Sequence, residues 1–255
     1  MILQMNGSFA AGYKSNSQKA RVVTEHWVLD NMFCPRCGNE KFSHFENNKP
    51  VADFFCPNCN NQYELKSISG ATLAKINDGA YSTMIDRIMS MDNPDFFFMS
   101  YLKLKWTVHN FFFVPKHFFT PSIISKRKPL SATAQRAGWT GCNILLSEIP
   151  QNGRISIVEN GNIISKDNVI KQVSIADSLF VADINKRGWL FDVLSCVEKL
   201  GDEFTLTEMY SFDKALCELH PSNNNVRPKI RQQLQFLRDR GIIEFISRGR
   251  YRKLV

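Results

Sequence analysis

Apolar and polar positions divide the chain into a first stretch of mixed helical and strand period and a last quarter of mainly helical period. Ala20, Val23 and Trp27 recur three to four residues apart. They predict a helix running to about residue 29, opened by Ser15-Asn16-Ser17-Gln18 in the form of a capping box. Val51-Ala52-Asp53-Phe54-Phe55 and Tyr63-Glu64-Leu65-Lys66 read as two strands. Leu73, Ile76, Ala80, Ile85 and Ile88 predict a second helix over 72–89, with Gly79 an interior cost and Asn93-Pro94-Asp95 its end. Residues 96–101 and 107–114 read as strands joined by a lysine-bearing hairpin, and their phenylalanine runs suit core packing better than a base-stacking platform. Helix, strands, helix, strands is the order of an α/β core with a mixed sheet.

Beyond Pro115 the pattern is irregular to about Pro150. Asn160-Gly161 then signals a hairpin between 154–158 and 162–164. Residues 165–186 read as a linker with room for a strand or short helix. Trp189, Leu190, Val193, Leu194 and Val197 mark a helix, 207–219 a second, and 226–240 a third stopped by Gly241. Residues 242–246 and 250–254 pair around Ser247-Arg248-Gly249. Three helices followed by a hairpin is winged-helix order, so the expected domains are 1–182 and 183–255.

Seven cysteines sharpen this picture. Cys34 and Cys37 form one C-x-x-C knuckle, Cys56 and Cys59 another. Four thiolates at this spacing suit a closed, structural zinc site. Disulfides or unrelated core cysteines are the alternatives; stable disulfides are not expected, because the N-terminus lacks the charged-then-apolar pattern of a secretory leader and a cytoplasmic protein is expected. Cys142, Cys196 and Cys217 are expected as buried apolar residues. No apolar run reaches membrane-spanning length.

Interleaved with the cysteines is an acidic pattern: Asp53, then Glu64-Leu65-Lys66. Residues i and i+2 of a strand share a face, so Glu64 and Lys66 point the same way. If the two strands pair, the Cys56–Cys59 knuckle lies in their turn and Asp53 falls beside Glu64. Two carboxylates and a lysine can hold a divalent ion and a water against a phosphodiester. Alone the pattern is weak, and an exposed strand face with a salt bridge is the plainer alternative. Glu25 and Gln18 on the first helix are expected at the surface rather than at a metal site.

The net charge is +8, and it is concentrated. Residues 226–255 hold nine Lys/Arg against two acids; the preceding 225 hold 23 against 22. A folded basic segment fits an anionic polymer. The third helix would present Arg231, Gln232, Gln235 and Arg238, residue types that read guanine and adenine in the major groove. Arg248, Arg250, Arg252 and Lys253 of the wing suit phosphate. A protein-binding winged helix is the alternative. In the irregular region, Lys126-Arg127-Lys128-Pro129 and Arg136 mark a DNA-facing loop, where Trp139 is either an apolar contact to a base methyl group or a core residue.

Asp53 and Glu64-x-Lys66 on adjacent strands resemble the PD-(D/E)XK nucleases, although Pro50 stands three residues before Asp53 rather than next to it. A closer resemblance rests on Tyr13-Lys14-Ser15-Asn16-Ser17-Gln18-Lys19-Ala20-Arg21, His44-Phe45-Glu46-Asn47-Asn48, Pro50-Val51-Ala52-Asp53-Phe54 and Ile76-Asn77-Asp78-Gly79-Ala80-Tyr81. Arg136-Ala137-Gly138-Trp139, Gly141-Cys142-Asn143-Ile144 and Ile230-Arg231-Gln232-Gln233-Leu234-Gln235 extend it along the whole chain. These segments resemble the DpnI-like methyl-directed restriction endonucleases. The resemblance implies cleavage of double-stranded DNA at GATC carrying 6-methyladenine. It implies Asp53, Glu64 and Lys66 as the catalytic set, with the Leu65 carbonyl joining Asp53 and Glu64 as ligands to Mg2+, for which Mn2+ would substitute. A monomer in solution is expected. The competing functions are a zinc-containing winged-helix regulator without catalysis and a structure-specific DNA repair nuclease.

Overall fold

The computed structural model describes residues 1–45 and 52–254. Glu46-Asn47-Asn48 and Pro50-Val51 of the motifs above lie outside the described residues. In chain order the elements are α1 (Asn16–Asn31), β1 (Ser43–His44), β2 (Phe54–Phe55), β3 (Gln62–Ser69), β4 (Lys75–Ala80), α2 (Tyr81–Ser90), β5 (Asp95–Leu102) and β6 (Thr107–Val114). They continue with β7 (Ile124–Lys126), β8 (Gly141–Leu145), β9 (Ile155–Glu159), β10 (Asn162–Ile163) and α3 (Lys166–Ser178). The last part holds α4 (Ile184–Glu198), β11 (Glu203–Thr205), α5 (Leu206–Tyr210), α6 (Asp213–Leu219), α7 (Val226–Asp239), β12 (Ile243–Ser247) and β13 (Arg250–Lys253).

Seven strands form a mixed sheet in the order β1-β2-β3-β5-β6-β9-β10, in which β3 and β5 run parallel and the other neighbours antiparallel. Both faces of its centre are covered, as a run of consecutive apolar residues requires. Phe96, Phe97 and Phe98 are fully buried. Alternation sends Phe97 toward Tyr63, Phe111 and Phe113, and sends Phe96 and Phe98 toward Phe119. The phenylalanines are therefore core, not a stacking platform. Trp27 of α1 meets Phe111 edge-on at 5.3 Å.

Several expected elements are corrected. Residues 75–80 are a strand, not the front of a helix: β4 pairs with β8, which pairs with β7, in a separate three-stranded sheet. Only 81–90 is helical. The irregular region thus contains the β7–β8 hairpin, whose partners are distant in sequence and leave no local signal. The linker holds a 13-residue helix, α3, capped by Ser165, whose side chain accepts from Asn168 N. The capping box at Ser15 does not form; Ser15 Oγ meets Ser17 Oγ instead. A complete box occurs at Thr205–Glu208. The expected helix over 207–219 is two, α5 and α6. Cys142 and Cys196 are buried as expected, but Cys217 is exposed.

The C-terminal region is a winged helix: β11, β13 and β12 form its small sheet, and α4 and α6 each pack on α7. Gly241 follows α7 at φ +69, and Gly249 turns the wing at φ +72, both left-handed positions that favour glycine. This region is sewn to the mixed-sheet region by side chains. Phe118 stacks on Phe191 of α4 at 4.4 Å between ring centroids, and the Glu198 carboxylate accepts from Gln151 N at 2.7 Å. Among the described residues, no helix is long and apolar enough to cross a membrane.

Candidate active site and metal centre

The two C-x-x-C knuckles fold alike. Cys34 N donates to Asn39 O and Gly38 N to Cys34 O; Cys56 N donates to Asn61 O and Asn60 N to Cys56 O. The fifth residue of each turn is left-handed, Gly38 at φ +72 and Asn60 at φ +58. The two turns face each other. Cys34 Sγ stands 3.6 Å from Cys59 Sγ, Cys37 Sγ stands 3.6 Å from Cys56 Sγ, and all four sulfurs lie within 4.8 Å of one another. Zn–S bonds of 2.3 Å in a tetrahedron put sulfurs about 3.8 Å apart, so the cluster could hold zinc. The side-chain amides of Asn58 and Asn61 donate to Cys37 and Cys59 at 3.5 and 3.4 Å. Burial works to raise the Cys37 thiol, but the Asn58 and Asn39 donors outweigh it and hold it at about 6, favouring thiolate.

The first knuckle is fastened to the sheet by Arg36. Its guanidinium grips Asp95 at the start of β5 with Nε and Nη2, at 2.5 and 2.9 Å, and gives Nη1 to Asp177 of α3 at 2.6 Å. The Tyr63 hydroxyl lies 3.0 Å from Cys34 Sγ, and its ring stacks on Phe97. Cysteine cluster and sheet centre are thereby one packed unit.

The second knuckle is the turn between β2 and β3, as its place between the two strand patterns predicts. Phe54 pairs with Tyr63, and Asp53, one step further, comes opposite Glu64. Asp53 N donates to Tyr63 O at 2.9 Å. Its Oδ2 accepts from Leu65 N at 2.7 Å, so the carboxylate lies on the peptide joining Glu64 to Leu65. Glu64 and Lys66 share one face: Lys66 Nζ is 2.5 Å from Glu64 Oε1. Arg87 of α2 approaches Glu64 Oε2 at 3.5 Å. Burial makes Glu64 harder to ionise, while Lys66 and Arg87 oppose that. Lys66 is held above the ordinary lysine range: burial works against its charge, but Glu64 and Asp78 outweigh it.

Two further acids reach this neighbourhood. Asp78 of β4 meets Lys66 Nζ at 2.5 Å. The false helical reading of 72–80 hid it. Glu25 of α1 is buried, contrary to the expected surface position, while Gln18 is exposed. Glu25 contacts Arg21 and His44, each at 3.5 Å. Burial raises its pKa, and the nearby Asp53 charge adds to the rise. No local pattern in α1 distinguishes Glu25 from a surface acid, because the helix packs on β3 and Glu25 itself meets His44 of β1, both later in the chain.

Two family models match the chain end to end. The Dam-replacing family, DpnI, covers residues 1–181, and the Dam-replacing HTH domain covers 185–253. The chain belongs to the DpnI, or Dam-replacing, family. The resemblance carried by the sequence motifs is thereby borne out. A member of the DpnI family with its HTH domain is a DNA-binding enzyme of restriction type.

The basic elements have distinct environments. Arg231, Gln232, Gln235 and Arg238 of α7 are all exposed, opposite the buried Ile230, Leu234 and Leu237. Arg231 donates to the Tyr210 hydroxyl at 2.8 Å, and Arg238 pairs with Asp239. On the wing Arg248 and Arg250 are exposed, whereas Arg252 lies between Glu203 and Glu244 at 2.7 and 2.9 Å. In the β7–β8 hairpin the half-buried Trp139 packs against Gly141 and under the Arg136 guanidinium, 5.0 Å from its ring centroid. It is neither a core tryptophan nor a fully exposed one.

Proposed function

We propose that this member of the DpnI family is a methyl-directed type II endonuclease with a PD-(D/E)XK centre. It would hydrolyse double-stranded DNA at GATC sites carrying 6-methyladenine. The observation that carries the reading is the gathering of Asp53, Glu64 and Lys66 where β2 meets β3, in a chain of a restriction-type family.

The donor set suits Mg2+, with Mn2+ as a substitute: oxygen ligands from the Asp53 and Glu64 carboxylates, with the Leu65 carbonyl adjacent in sequence. Such an ion supplies charge stabilisation at phosphate and a lowered pKa for its water. The chain's own part is positional. Asp53, fixed on the Leu65 amide, and Glu64, steadied by Lys66 and Arg87, present two carboxylates on one face. The Lys66 ammonium is a cation at hand for the attacking water or the charged phosphate. Zinc in the Cys34, Cys37, Cys56 and Cys59 cluster would act structurally, clamping the hairpin that carries Asp53 and Glu64. Residues 1–182 would form the catalytic domain and 183–255 the reader. Arg231, Gln232, Gln235 and Arg238 would face bases, Arg248, Arg250 and Arg252 phosphates, and Arg136 with Trp139 the methylated site. Arg252 would exchange its carboxylate partners for phosphate. The protein is read as a cytoplasmic monomer.

The test is digestion of dam-methylated and unmethylated plasmid with magnesium, by the wild type and by Asp53→Ala. The reading requires cutting of methylated DNA alone, and loss of cutting with retained DNA binding in the variant. Equal cutting of both plasmids would refute methyl direction, and an unchanged Asp53→Ala would refute the site.

A further inference from the structure

Lys66 has two acidic partners, and they come from different sheets. Glu64 Oε1 approaches along the same strand face, and Asp78 Oδ1 from β4, each at 2.5 Å from Nζ. The Asp78 side chain is 9% exposed and that of Lys66 21%, so solvent screens the pair weakly. Nothing in the Asp53 and Glu64-x-Lys66 pattern calls for a third acid. β4 delivers it by a specific device: its pairing with β8 slips between Asp78 and Ala80, leaving Gly79 as the extra residue. A bulge of this kind bends its strand and re-aims the side chain beside it. No atom lies within 4 Å of a Cβ built on Gly79, so crowding does not select glycine at this position.

We propose, on the reading that Glu64 ligates a divalent ion, that Asp78 is a positioning residue for Lys66. A carboxylate oxygen given to an ion is no longer available in the same way to the lysine. Lys66 would then lose its intrastrand partner at the moment the site is loaded. Its flexible four-carbon stem is rich in rotamers, so an ammonium with no second anchor would swing away. Asp78 is that anchor, and it comes from the separate β4-β8-β7 sheet rather than from the strand that carries Glu64. Its partner strand β8 follows directly on Trp139-Thr140, and Tyr81 N donates to Thr140 O at 3.0 Å. The lysine's anchor and the basic hairpin loop are therefore set by the same sheet.

The experiment is single-turnover cleavage of a methylated GATC duplex in magnesium. It compares wild type, Asp78→Asn, Asp78→Glu, Lys66→Ala and the double variant Lys66→Ala with Asp78→Asn. Loss of the anchor misplaces a catalytic group, for which about a 10- to 100-fold drop in rate is expected in Asp78→Asn. Asp78→Glu should recover part of it. Magnesium half-saturation and duplex affinity in calcium should stay as in the wild type, and every variant should stay folded well above the assay temperature. On the Lys66→Ala background Asp78→Asn should add no further loss, because residues acting as one unit are non-additive.

An Asp78→Asn variant that cuts like wild type overturns the proposal. So does one that loses the same factor again without Lys66, or whose loss disappears when the assay is run at lower temperature, further below its melting point. A raised magnesium half-saturation also overturns it, by making Asp78 a ligand instead. Failure of the underlying nuclease reading looks different: the wild type does not cut, or Lys66→Ala cuts like the wild type, and the proposal falls with it.

Discussion

Arg36→Ala should be strongly destabilising, although Arg36 belongs neither to the acidic site nor to the cysteine ligands. The Asp95 carboxylate is 2% exposed and accepts from Arg36 Nε, Arg36 Nη2 and Lys116 N, the last at 2.8 Å. Removing the guanidinium leaves this anion buried with one neutral donor. Hydrogen bonds to charged groups are each worth about 1.5–3 kcal/mol, and breaking one side of a buried ion pair costs about 3–5 kcal/mol. The third bond goes to Asp177, whose side chain is 39% exposed, so its share is screened to under about 1 kcal/mol. The expected loss is therefore about 4 kcal/mol, out of a total of about 5–15 kcal/mol for a typical domain. Urea unfolding followed by circular dichroism at pH 7 in zinc measures it, with bound zinc assayed in parallel. Asp177→Asn is the control and should cost under about 1 kcal/mol. Arg36→Met combined with Asp95→Asn should recover part of the loss, since no buried charge is then unpaired. A loss below about 1 kcal/mol for Arg36→Ala, or an equal loss for Asp177→Asn, would refute the reasoning.

Chelation should release one zinc per chain and lower the melting temperature. Metal binding is worth about 10–16 kcal/mol in isolated zinc fingers, and native mass spectrometry that finds no retained zinc would contradict this. His117 is buried, donates Nε2–H to Ala176 O at 2.9 Å, and burial pushes its pKa down to about 4. Its neutral form is the folded one, so this stability is complete above the unfolded value and is lost as pH falls from about 6.5 toward 4, by up to about 3 kcal/mol. In His117→Gln, denaturant midpoints at pH 7 and 5 should differ less than in the wild type; an unchanged difference would exclude His117 as the cause. A Cβ on Gly153 would stand 2.4 Å from the Phe118 ring, which stacks on Phe191 of α4. Gly153→Ala should cost about 1–3 kcal/mol by overpacking, and a calorimetric melt like the wild type's would disprove the contact.

Much of the molecule was already legible in its residues. The C-x-x-C spacings fix which atoms can share one ion. Period-2 alternation puts Glu64 and Lys66 on one face, whatever the strand packs against. The 3.6-residue period of 226–240, with Gly241 after it, specifies a helix with an arginine- and glutamine-rich outer face. These features depend on bonds and side chains within a few residues of one another, so local sequence suffices. What tertiary structure alone decided involves partners far apart in the chain. Ile76, Ala80, Ile85 and Ile88 fit a helical period, yet 75–80 extends as a strand because β8, some sixty residues later, supplies its hydrogen bonds. That choice brings Asp78 to Lys66. Glu25 is buried by strands that follow it, and Arg36 finds Asp95 and Asp177 at separations of 59 and 141 residues. A short apolar run is compatible with either backbone form, and it is the free energy of long-range pairing and burial, absent from any local window, that selects one.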